Sequence, residues 1–454
     1  MRKVLWSVLG ISIFLYLLFY PQMYGIKDES AYLGMSYIIG KGDMFYREEN
    51  GFYWTCSCIK GKYGRISKYP VGNSLLLVPF VSIHWKAGFI MNLIFYVLIS
   101  ILFIKILEFF NITPLFSLLL MLHPTFILFS RTMMSDIPSL FFILLGIYFF
   151  YNRKEILAGF SFGMSFLIRF SNIPLTISFI LAALFAERDK KRIYRLFPGL
   201  VIFTFFFLLY YYCAFGSIFG VFDVMRHTGN FSIKYFSSHF LFYFLVLNLL
   251  YPGMLIITCV HGFRHRKWFP FSFSTLLIVL LYSFYYYLDK GKNPIETVVR
   301  GSRYILPVLP FMLLVYADYL KKWKVMEKII LACVPFLVLF SAGIHYKHDK
   351  FLERQKEIRE IIYTNTTENE LLICNGSASE FINPVFGKRK WKMLEYTKIK
   401  ELKGEKNVVL VHVKGKKKYE KILRDFLRKA NYESLVGDSL SPVFIARILS
   451  FKGS

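Results

Sequence analysis

Acidic residues are scarce in this chain of 454 residues, where 29 Asp and Glu stand against 56 Lys and Arg and the formal net charge is +27. A basic excess of this kind is typical of nucleic-acid-binding proteins. Here, however, most short basic clusters fall between long hydrophobic runs, and no basic region is interleaved with a known nucleic-acid motif. The charge therefore indicates contact with anionic lipid headgroups and control of membrane topology rather than nucleic-acid binding.

Cysteine is too scattered for a disulfide framework or a zinc site. Of the 6 cysteines, Cys213, Cys259 and Cys333 lie in apolar runs, where a thiol behaves as a small hydrophobe. Cys56 and Cys58 lie close together in a polar segment, but no second Cys or His pair at zinc spacing is near them. We therefore expect no structural metal at these cysteines.

The sequence also lacks an internal repeat and a signal-peptidase site. Residues Val4–Tyr20 are apolar and follow Arg2 and Lys3, as in a signal peptide. No small-x-small cleavage site follows them, and the next residues are Pro21 and Gln22. We therefore interpret Val4–Tyr20 as a retained first transmembrane segment.

Apolar and aromatic residues are what the chain has in abundance. Hydrophobic residues make up 56% of it, with 50 Phe and 31 Tyr, and the mean hydropathy is +0.46. An ordinary soluble domain is about 45–50% apolar, and aromatic residues are enriched at membrane interfaces. The composition predicts a mainly α, polytopic membrane protein.

Apolar runs long enough to cross lipid predict about eleven transmembrane helices. They cover roughly residues 4–20, 86–107, 112–130, 137–151, 156–168, 172–186, 196–214, 237–260, 271–288, 304–320 and 326–345. Treating 156–186 as one broken span would place the basic residues of 188–195 and 321–324 on the side of the membrane opposite Arg2 and Lys3. The positive-inside rule therefore favours two spans, with the N-terminus in the cytoplasm and the C-terminus outside.

After Tyr346 the composition becomes rich in Lys and Glu, and no spanning run follows. Three segments have strand-like patterns and one has helical periodicity: Leu371–Cys374, Val408–Val413, Val443–Leu449 and Tyr419–Ala430. We therefore predict a transmembrane domain over residues 1–348, with a large outer loop at 21–85, and an extracytoplasmic α/β domain over 349–454.

Two adjacent carboxylates, Asp28 and Glu29, open the large loop directly after the first apolar segment. Charges beside a membrane segment are costly and point to a function. One interpretation makes Asp28 a general base, or part of a cation site, facing bound substrate. The other makes Asp28 the N-cap of a short helix that begins at Glu29, whose charge suits the positive helix end. The residues alone leave both interpretations open.

Other polar residues are predicted on the same membrane face as Asp28: Lys68, Tyr69, Arg131, Asp136, Arg169, Asn172, Arg300 and Arg303. Taken singly, each has a structural explanation. Asp136 suits a helix N-cap, Arg169 suits snorkelling to headgroups, and the last two arginines suit an interfacial anchor. Taken together, they predict a site that binds an anionic, lipid-linked substrate and activates a nucleophile, because arginine suits bidentate phosphate contact.

Five short motifs occur in a fixed order along the predicted outer loops. They are Asp28-Glu29, Tyr69-Pro70-Val71-Gly72, Ser135-Asp136-Ile137-Pro138, Arg169-Phe170-Ser171-Asn172 and Arg303-Tyr304-Ile305-Leu306-Pro307. Their order resembles the GT-C superfamily of membrane glycosyltransferases, in the branch of protein O-mannosyltransferases and lipid A aminoarabinose transferases. The resemblance covers roughly residues 1–345 and depends on the order and topology of the motifs, since each one is short and degenerate.

The resemblance implies a donor sugar carried on a polyprenyl or dolichyl phosphate, and transfer to a lipid, polysaccharide or protein acceptor outside the cytoplasmic membrane. It implies Asp28 as catalytic base, with Glu29 and Asp136 binding acceptor or orienting the site. The candidates for contact with the donor phosphate are Arg169, Arg300, Arg303 and Lys68, and those for positioning donor or acceptor are Tyr69, Asn172 and Tyr304. The loop segment Ser30–Gly40 also has the alternation of an interfacial helix that would border a groove for the isoprenoid chain.

Metal use stays open at this point. Some GT-C branches need a divalent metal at the first-loop acid and others do not. The outer loops of this chain have no second acidic pair of the Asp-x-Asp kind. We therefore expect a metal-independent reaction, with a divalent metal as the alternative.

A transporter or flippase of lipid-linked sugars is the rival interpretation, in which the same charges line a translocation path. Secondary transporters more often show repeat symmetry and polar groups near the membrane midplane. Here the charges gather at one predicted face and only one loop is long, so the sequence favours a transferase.

Overall fold

The computed structural model describes residues 2–46, 58–187, 189–220, 230–288, 293–397, 402, 405, 407–414, 417–437 and 441–451. The chain divides into two compact units. The first consists of Met1–Tyr20, Pro70–Asn73 and Phe89–His348, and the second of Pro21–Tyr69, Ser74–Gly88 and Asp349–Ser454. Residues 349–454 thus group with most of the predicted outer loop. The functional division at 348/349 and the side of the membrane on which 349–454 lies stay predictions.

Helices dominate the described residues. The α-helices are α1 (Arg2–Leu18), α2 (Lys27–Gly40), α3 (Val71–Ile83), α4 (Gly88–Phe109), α5 (Ser117–Met121), α6 (Pro124–Ser130), α7 (Asp136–Tyr151), α8 (Glu155–Ile168), α9 (Asn172–Ala186), α10 (Lys191–Tyr194), α11 (Phe197–Phe215), α12 (Phe236–Leu249), α13 (Met254–Arg264), α14 (Phe269–Ser283), α15 (Pro294–Gly301), α16 (Leu309–Leu320), α17 (Val325–Thr364) and α18 (Lys417–Leu427). Short 3-10 helices include Trp85–Ala87, Pro114–Phe116, Ile233–Tyr235, Ser302–Val308, Ala378–Phe381, Pro384–Phe386 and Leu394–Tyr396.

Four helical segments in the described parts of the chain are long and apolar enough to cross a membrane: Trp85–Phe109, Lys191–Phe215, Pro294–Leu320 and Val325–Thr364. A fifth crossing results if Ile233–Leu249 and Met254–Arg264 form one bent span. The chain is therefore a multi-pass membrane protein. Several other apolar helices are shorter, among them α7, α8, α9 and α14. The predicted number of about eleven spans is not confirmed.

Two predicted spans are broken in the structure. The apolar run 112–130 forms α5 and α6, which are separated at His123 directly before Pro124, where the proline disfavours helical backbone in the preceding residue. The run 237–260 forms α12 and α13, which meet at an angle of 88° with Gly253 at a positive φ of 71° between them. Neither run forms one continuous helix, and whether each crosses the membrane once stays a prediction. Residues 156–186 form two helices, α8 and α9, and their assignment as two spans stays a prediction.

Helix backbones come very close where α8 crosses α11 in the first unit. A Cβ atom on Gly159 would lie 2.0 Å from the carbonyl oxygen of Leu196, and one on Gly199 would lie 2.3 Å from the amide nitrogen of Phe160. Small residues allow such contact between membrane helices, which gain stability from close van der Waals packing. The crossing is therefore restricted to glycine at both positions.

The abundant aromatic residues fill the interior of the first unit. Phe271 on α14 lies 5.4 Å from Phe311 and 5.8 Å from Phe179, measured between ring centroids. Phe110 lies 4.8 Å from Trp268. These five residues are buried, and edge-to-face or tilted ring pairs add stability beyond the area that they bury. Much of the phenylalanine content thus serves helix packing as well as the interfacial belts expected from composition.

A small mixed sheet forms in the second unit. Its strands are β3 (Leu371–Cys374), β4 (Lys390–Met393), β5 (Val408–Val413), β6 (Ala430–Val436) and β7 (Val443–Phe451), in the order β4-β3-β5-β7-β6. β3 is parallel to β4 and β5, while β7 is antiparallel to β5 and β6. The three predicted strands and the helix near 419–430 are confirmed. A separate antiparallel pair, β1 (Cys58–Lys60) and β2 (Arg65–Ser67), lies in the large loop.

The sheet is stable because α18 covers one face of it. Leu423 and Phe426 of α18 belong to the same buried cluster as Leu371, Ile373 and Leu410 of the sheet. Burial of large apolar side chains stabilises such a layer by about 1.5–3 kcal/mol for each fully buried residue.

The predicted interfacial helix Ser30–Gly40 is part of α2, but it does not have an amphipathic pattern of burial. Every residue from Glu29 to Ser36 is buried within the protein. A helix lying in the membrane interface keeps one polar face in water. The prediction of an interfacial helix was therefore wrong, because α2 is enclosed by protein on all sides over this stretch.

Candidate functional site

Three predicted site residues of the first unit meet in one buried ionic cluster. Asp136 lies between Arg169 and Arg303: Arg169 Nη1 donates to Asp136 Oδ1, and Arg303 Nε lies 3.2 Å from each carboxylate oxygen. Asp136 is fully buried, and both arginines are at least nine-tenths buried. The structure thus brings together residues from three separate motifs, and we name them the Asp136 cluster.

The local backbone explains how these three side chains meet. Asp136 is the first residue of α7. Arg169 follows α8 directly, with extended backbone at φ −154° and ψ 120°, which ends the helix. Arg303 lies in the 3-10 helix Ser302–Val308, where Pro307 limits the hydrogen bonding of an α-helix. Each residue therefore stands at the end of an apolar helix or at a helix irregularity.

The electrostatics of the Asp136 cluster leave one net positive charge, because two guanidinium groups share one carboxylate. Arg303 also lies over the rings of Phe129 and Tyr304, with its Cζ 5.4 Å and 5.6 Å from their centroids. Buried charges are tolerated only when they are paired and hydrogen-bonded. The shared carboxylate holds both guanidinium groups in fixed positions.

Two structural explanations offered for single residues do not apply. The N-cap position of α7 is Ser135, and the Asp136 side chain bonds arginine rather than the helix end. Arg169 does not snorkel, since its guanidinium is buried against Asp136.

The short loop before Asp136 is held by two buried asparagines that sequence reasoning did not single out. Asn92 Nδ2 donates to the carbonyl oxygens of Thr132 and Met134, and Asn73 Nδ2 donates to that of Met133 at 2.9 Å. Buried backbone oxygens need such partners. Each asparagine stands alone in an apolar helix pattern, and that is the signal by which it could have been found.

Arg131 anchors the other end of this loop. Its Nε donates to His348 Nδ1 at 3.1 Å, its Nη1 lies 2.7 Å from His345 Nδ1, and its Nη2 donates to the carbonyl oxygen of Phe19 at 2.6 Å. Arg131 is fully buried. It therefore ties the loop to the end of α1 and to α17.

The surroundings of Gly72 show why the Tyr69-Pro70-Val71-Gly72 motif ends in glycine. A Cβ atom there would lie 2.4 Å from the carbonyl oxygen of Leu167 and 2.8 Å from the amide nitrogen of Ile168. These two residues end α8 directly before Arg169. Glycine at position 72 is therefore required for the backbone approach that fixes the position of Arg169.

Asp28 and Tyr69, both in the second unit, are direct partners. Tyr69 Oη donates a hydrogen bond to Asp28 Oδ1, and the Tyr69 ring lies 5.2 Å from the ring of Tyr32. Asp28 and Tyr69 are half-buried. The Lys68 ammonium lies 5.0 Å from the centre of the Tyr69 ring. The first and second motifs therefore form one polar pair, which the order of the sequence did not by itself predict.

The Glu29 carboxylate makes hydrogen bonds to the backbone at the start of α2. Its Oε2 accepts hydrogen bonds from the backbone nitrogens of Gly25 at 3.0 Å and Ile26 at 2.9 Å. This is the returning half of a capping box, and Glu29 is buried. The N-cap position is Ile26, so the interpretation of Asp28 as N-cap was wrong, while the favourable position of Glu29 at the helix start is confirmed.

The remaining predicted residues have more ordinary surroundings. Arg300 pairs with Glu296 one turn earlier on α15, at 3.0 Å. Tyr304 belongs to a tyrosine group, 5.0 Å from Tyr282 between ring centroids. Asn172 is fully buried, and its Oδ1 has no hydrogen-bond partner among the described residues. Their catalytic and binding roles stay predictions.

Within the described part of the chain, no three His, Cys, Asp or Glu side chains are grouped to hold a metal ion. Cys56 lies outside the described residues. Metal dependence therefore stays as open as the sequence left it.

Comparison with known proteins identifies the fold. No protein-family model matches the sequence, and no curated protein does. Among solved structures, ArnT from Cupriavidus metallidurans bound to undecaprenyl phosphate is similar with a TM-score of 0.69 and 11% identity, over 98% of each chain. The apo state of the same protein is similar with a TM-score of 0.63 and 12% identity, again over 98% of each chain. The chain therefore has the fold of this ArnT protein.

This result confirms the expected resemblance to GT-C membrane glycosyltransferases at the level of the fold. At identities of 11% and 12%, the similarity shows a shared fold and not a shared activity, because one fold can support different activities. Activity, substrates and the roles of single residues therefore depend on the side chains described above and on experiment.

Proposed function

We propose that this protein is a membrane glycosyltransferase that moves a sugar from a polyprenyl-phosphate donor to an acceptor on the outer side of the cytoplasmic membrane. The observation that carries the proposal is the fold that it shares, over 98% of both chains, with an ArnT structure that holds undecaprenyl phosphate. A carrier lipid of this kind presents an apolar chain and a phosphate, which suits a helical membrane protein with buried arginines.

The Asp136 cluster is our proposed contact for the donor phosphate. Arg169 and Arg303 are oriented by one shared carboxylate, and the cluster retains one positive charge. Fixed guanidinium groups stabilise the negative charge that develops on a departing phosphate without reorganisation during the reaction. In this proposal Asp136 orients the arginines and does not itself act as a base, since both its oxygens accept from arginine. Lys68 and Arg300 are further candidates for the phosphate.

Asp28 is our proposed general base. Its carboxylate takes the proton from the acceptor hydroxyl or amine as that group attacks the anomeric carbon. The bond from the anomeric carbon to the phosphate oxygen breaks, and polyprenyl phosphate leaves with the electron pair. Tyr69 donates a hydrogen bond to one Asp28 oxygen and so helps to orient the carboxylate. Tyr304 and Asn172 are proposed to position the substrates.

The test is a transfer assay in membranes that contain the full-length protein. Undecaprenyl-phosphate-linked radiolabelled mannose, glucose and aminoarabinose serve as donors, and wild type is compared with Asp28→Asn. The matched control is Asp43→Asn, which alters a carboxylate of the same loop that accepts from the backbone nitrogen of Phe45 at 3.3 Å. We expect Asp28→Asn to lose at least about 100-fold in rate, as for removal of a general base, and Asp43→Asn to remain within about twofold.

Two outcomes contradict the proposal in different ways. Equal transfer by wild type and Asp28→Asn removes Asp28 from the mechanism. No transfer from any donor, together with movement of the lipid-linked sugar between leaflets, replaces the transferase by the flippase that the sequence left as an alternative.

A further inference from the structure

We propose that Asn383, from the C-terminal part of the second unit, is a positioning residue for Asp28. The inference rests on the proposed function, in which Asp28 is the base. It assigns a task to residues 349–454, whose role the sequence left open.

The contact is direct and buried. Asn383 Nδ2 donates to the carbonyl oxygen of Ser30 at 2.8 Å and lies 3.1 Å from Ser30 Oγ. Both residues are fully buried. Ser30 follows Asp28 by two residues within the first turns of α2. A helix turn contains 3.6 residues, so a fixed Ser30 sets the position from which the Asp28 side chain projects.

Asn383 is itself held in place on both sides. Pro384 follows Asn383 at the start of the 3-10 helix Pro384–Phe386 and favours the extended backbone that Asn383 has, at φ −145° and ψ 134°. The Asn383 Oδ1 accepts a hydrogen bond from Val385 N at 3.2 Å. Tyr363 Oη lies 3.2 Å from both the backbone oxygen and the backbone nitrogen of Asn383. The amide therefore meets Ser30 as a fixed group and not as a mobile side chain.

A second contact between the same segments supports this arrangement. Tyr24, just before α2, donates from its Oη to the carbonyl oxygen of Glu380 at 2.9 Å. The Tyr24 ring stacks on Phe386 at 6.0 Å between centroids. Residues 380–386 thus hold the chain on both sides of Asp28, through Tyr24 before it and through Ser30 after it.

The expected consequence is catalytic. A displacement of about 1 Å at a reacting group lowers a rate by about 100-fold. Loss of the Asn383 amide removes the only described side-chain donor to the Ser30 carbonyl oxygen, so α2 can shift relative to Tyr69, which bonds the Asp28 carboxylate. We expect this shift to change the turnover step more than donor binding.

The test compares Asn383→Ala with a matched control, Asn375→Ala. Asn375 is equally buried and makes three hydrogen bonds through its side chain, to Val413 O at 3.0 Å, Val413 N at 3.2 Å and Ala378 N at 2.9 Å. It therefore stabilises the same part of the protein, but no bond to α2 is described for it. Donor saturation curves with the best of the three undecaprenyl-phosphate sugars give kcat and KM, and hydrogen–deuterium exchange reports on the start of α2.

For Asn383→Ala we expect kcat to fall at least tenfold with the donor KM within twofold, and exchange in peptides covering residues 26–33 to increase. For Asn375→Ala we expect kcat within threefold and unchanged exchange there, even if the melting temperature falls equally. Equal losses of kcat in both variants, or wild-type kcat in Asn383→Ala, overturn the inference. If wild type itself transfers no sugar, the proposed function fails, and this inference fails with it. The two failures can be told apart, because the wild-type protein is inactive only when the proposed function is wrong.

Discussion

Arg303 reaches back along the chain to Asp136, 167 residues earlier, and its Nε lies 3.2 Å from each carboxylate oxygen. Arg169 contacts the same carboxylate. One acidic side chain therefore fixes two arginines from separate segments, one directly after α8 and one in the 3-10 helix Ser302–Val308. Because all three are buried, a change at any one of them alters the charge balance of the other two.

Replacing Arg303 should damage both stability and transfer. Arg303→Ala leaves a buried carboxylate with one arginine, and breaking a buried pair costs about 3–5 kcal/mol. We expect roughly 3 kcal/mol of stability to be lost, because Arg169 remains, together with most transfer activity. Thermal unfolding in detergent measures the first effect. Arg2→Ala is the control, since its pair with Glu108 is on the surface and such pairs contribute about 0–1 kcal/mol. Equal melting temperatures for both variants would contradict this prediction.

Gly72→Ala should be destabilising although it adds a single methyl group. The new Cβ would lie 2.4 Å from the Leu167 carbonyl oxygen, and overpacking of this kind costs about 1–3 kcal/mol. Gly10→Ala is the matched control, because no atom lies within 4 Å of a Cβ at that helical position. There alanine should be neutral or stabilise the helix by about 0.5–1 kcal/mol. A melting temperature of Gly72→Ala at or above that of wild type would contradict the prediction. It would mean that the end of α8 can shift away from the new methyl group without loss of stability.

Tyr69→Phe should slow transfer without unfolding the protein. The change removes the hydroxyl that donates to Asp28 and leaves the ring beside Tyr32. Hydrogen bonds to charged groups contribute about 1.5–3 kcal/mol, so we expect kcat to fall about tenfold or more. Tyr396→Phe, at an exposed tyrosine, serves as control and should leave kcat unchanged. A wild-type kcat for Tyr69→Phe would remove this hydroxyl from the reaction.

Cys374 should be unreactive in the folded protein. Burial, and secondarily the charge of Glu395, raise the pKa of its thiol, so the nucleophilic thiolate is not populated near pH 8. Labelling with iodoacetamide, followed by mass spectrometry, should become fast only after unfolding. Because the folded pKa is above the unfolded value of about 8.5, the associated stability is present below that pH and is lost as pH rises above it. The Cys374→Ser variant should show a weaker loss of stability between pH 8 and pH 10, and rapid labelling of native Cys374 would contradict the prediction.

The sequence was informative about which residues carry charge near the membrane and poor at showing how they pair. The convergence of Asp136, Arg169 and Arg303 agrees with the expectation of a shared site, because isolated charges in apolar surroundings need partners. The bond from Tyr69 to Asp28 was not predicted, since it depends on how the intervening loop folds. Asn73 and Asn92 were overlooked because a neutral amide in an apolar run attracts less attention than a charge.

Strands were predictable where the sheet is fully buried. Every residue of β3 and β5 is buried, and His412 is the one residue of these two strands that is not apolar. This is the pattern of strands covered on both faces. β4 has the sequence Lys-Trp-Lys-Met, and β6 is mostly exposed, so neither shows that pattern and both were missed. They are the edge strands of the sheet, where polar residues are usual.

Apolar content also failed to distinguish a continuous span from a broken one. The run 112–130 is almost entirely apolar, yet it is interrupted at His123 and Pro124. Hydropathy measures transfer from water to lipid and contains no information on backbone hydrogen bonding. Protein neighbours can satisfy an interrupted helix, and the sequence of one run does not reveal them.

The bond between Ser30 and Asn383 joins residues 353 positions apart, and this separation affects how the protein is made. The ribosome delivers α2 early, but the partner that fixes it is synthesised only after every segment that we expect to cross the membrane. Domains generally fold as they emerge, so α2 lacks this contact through most of translation. A nascent or truncated chain that ends before residue 383 would therefore carry the proposed base and all of its membrane helices and still be inactive. Completion of the chain would thus act as a checkpoint on activity.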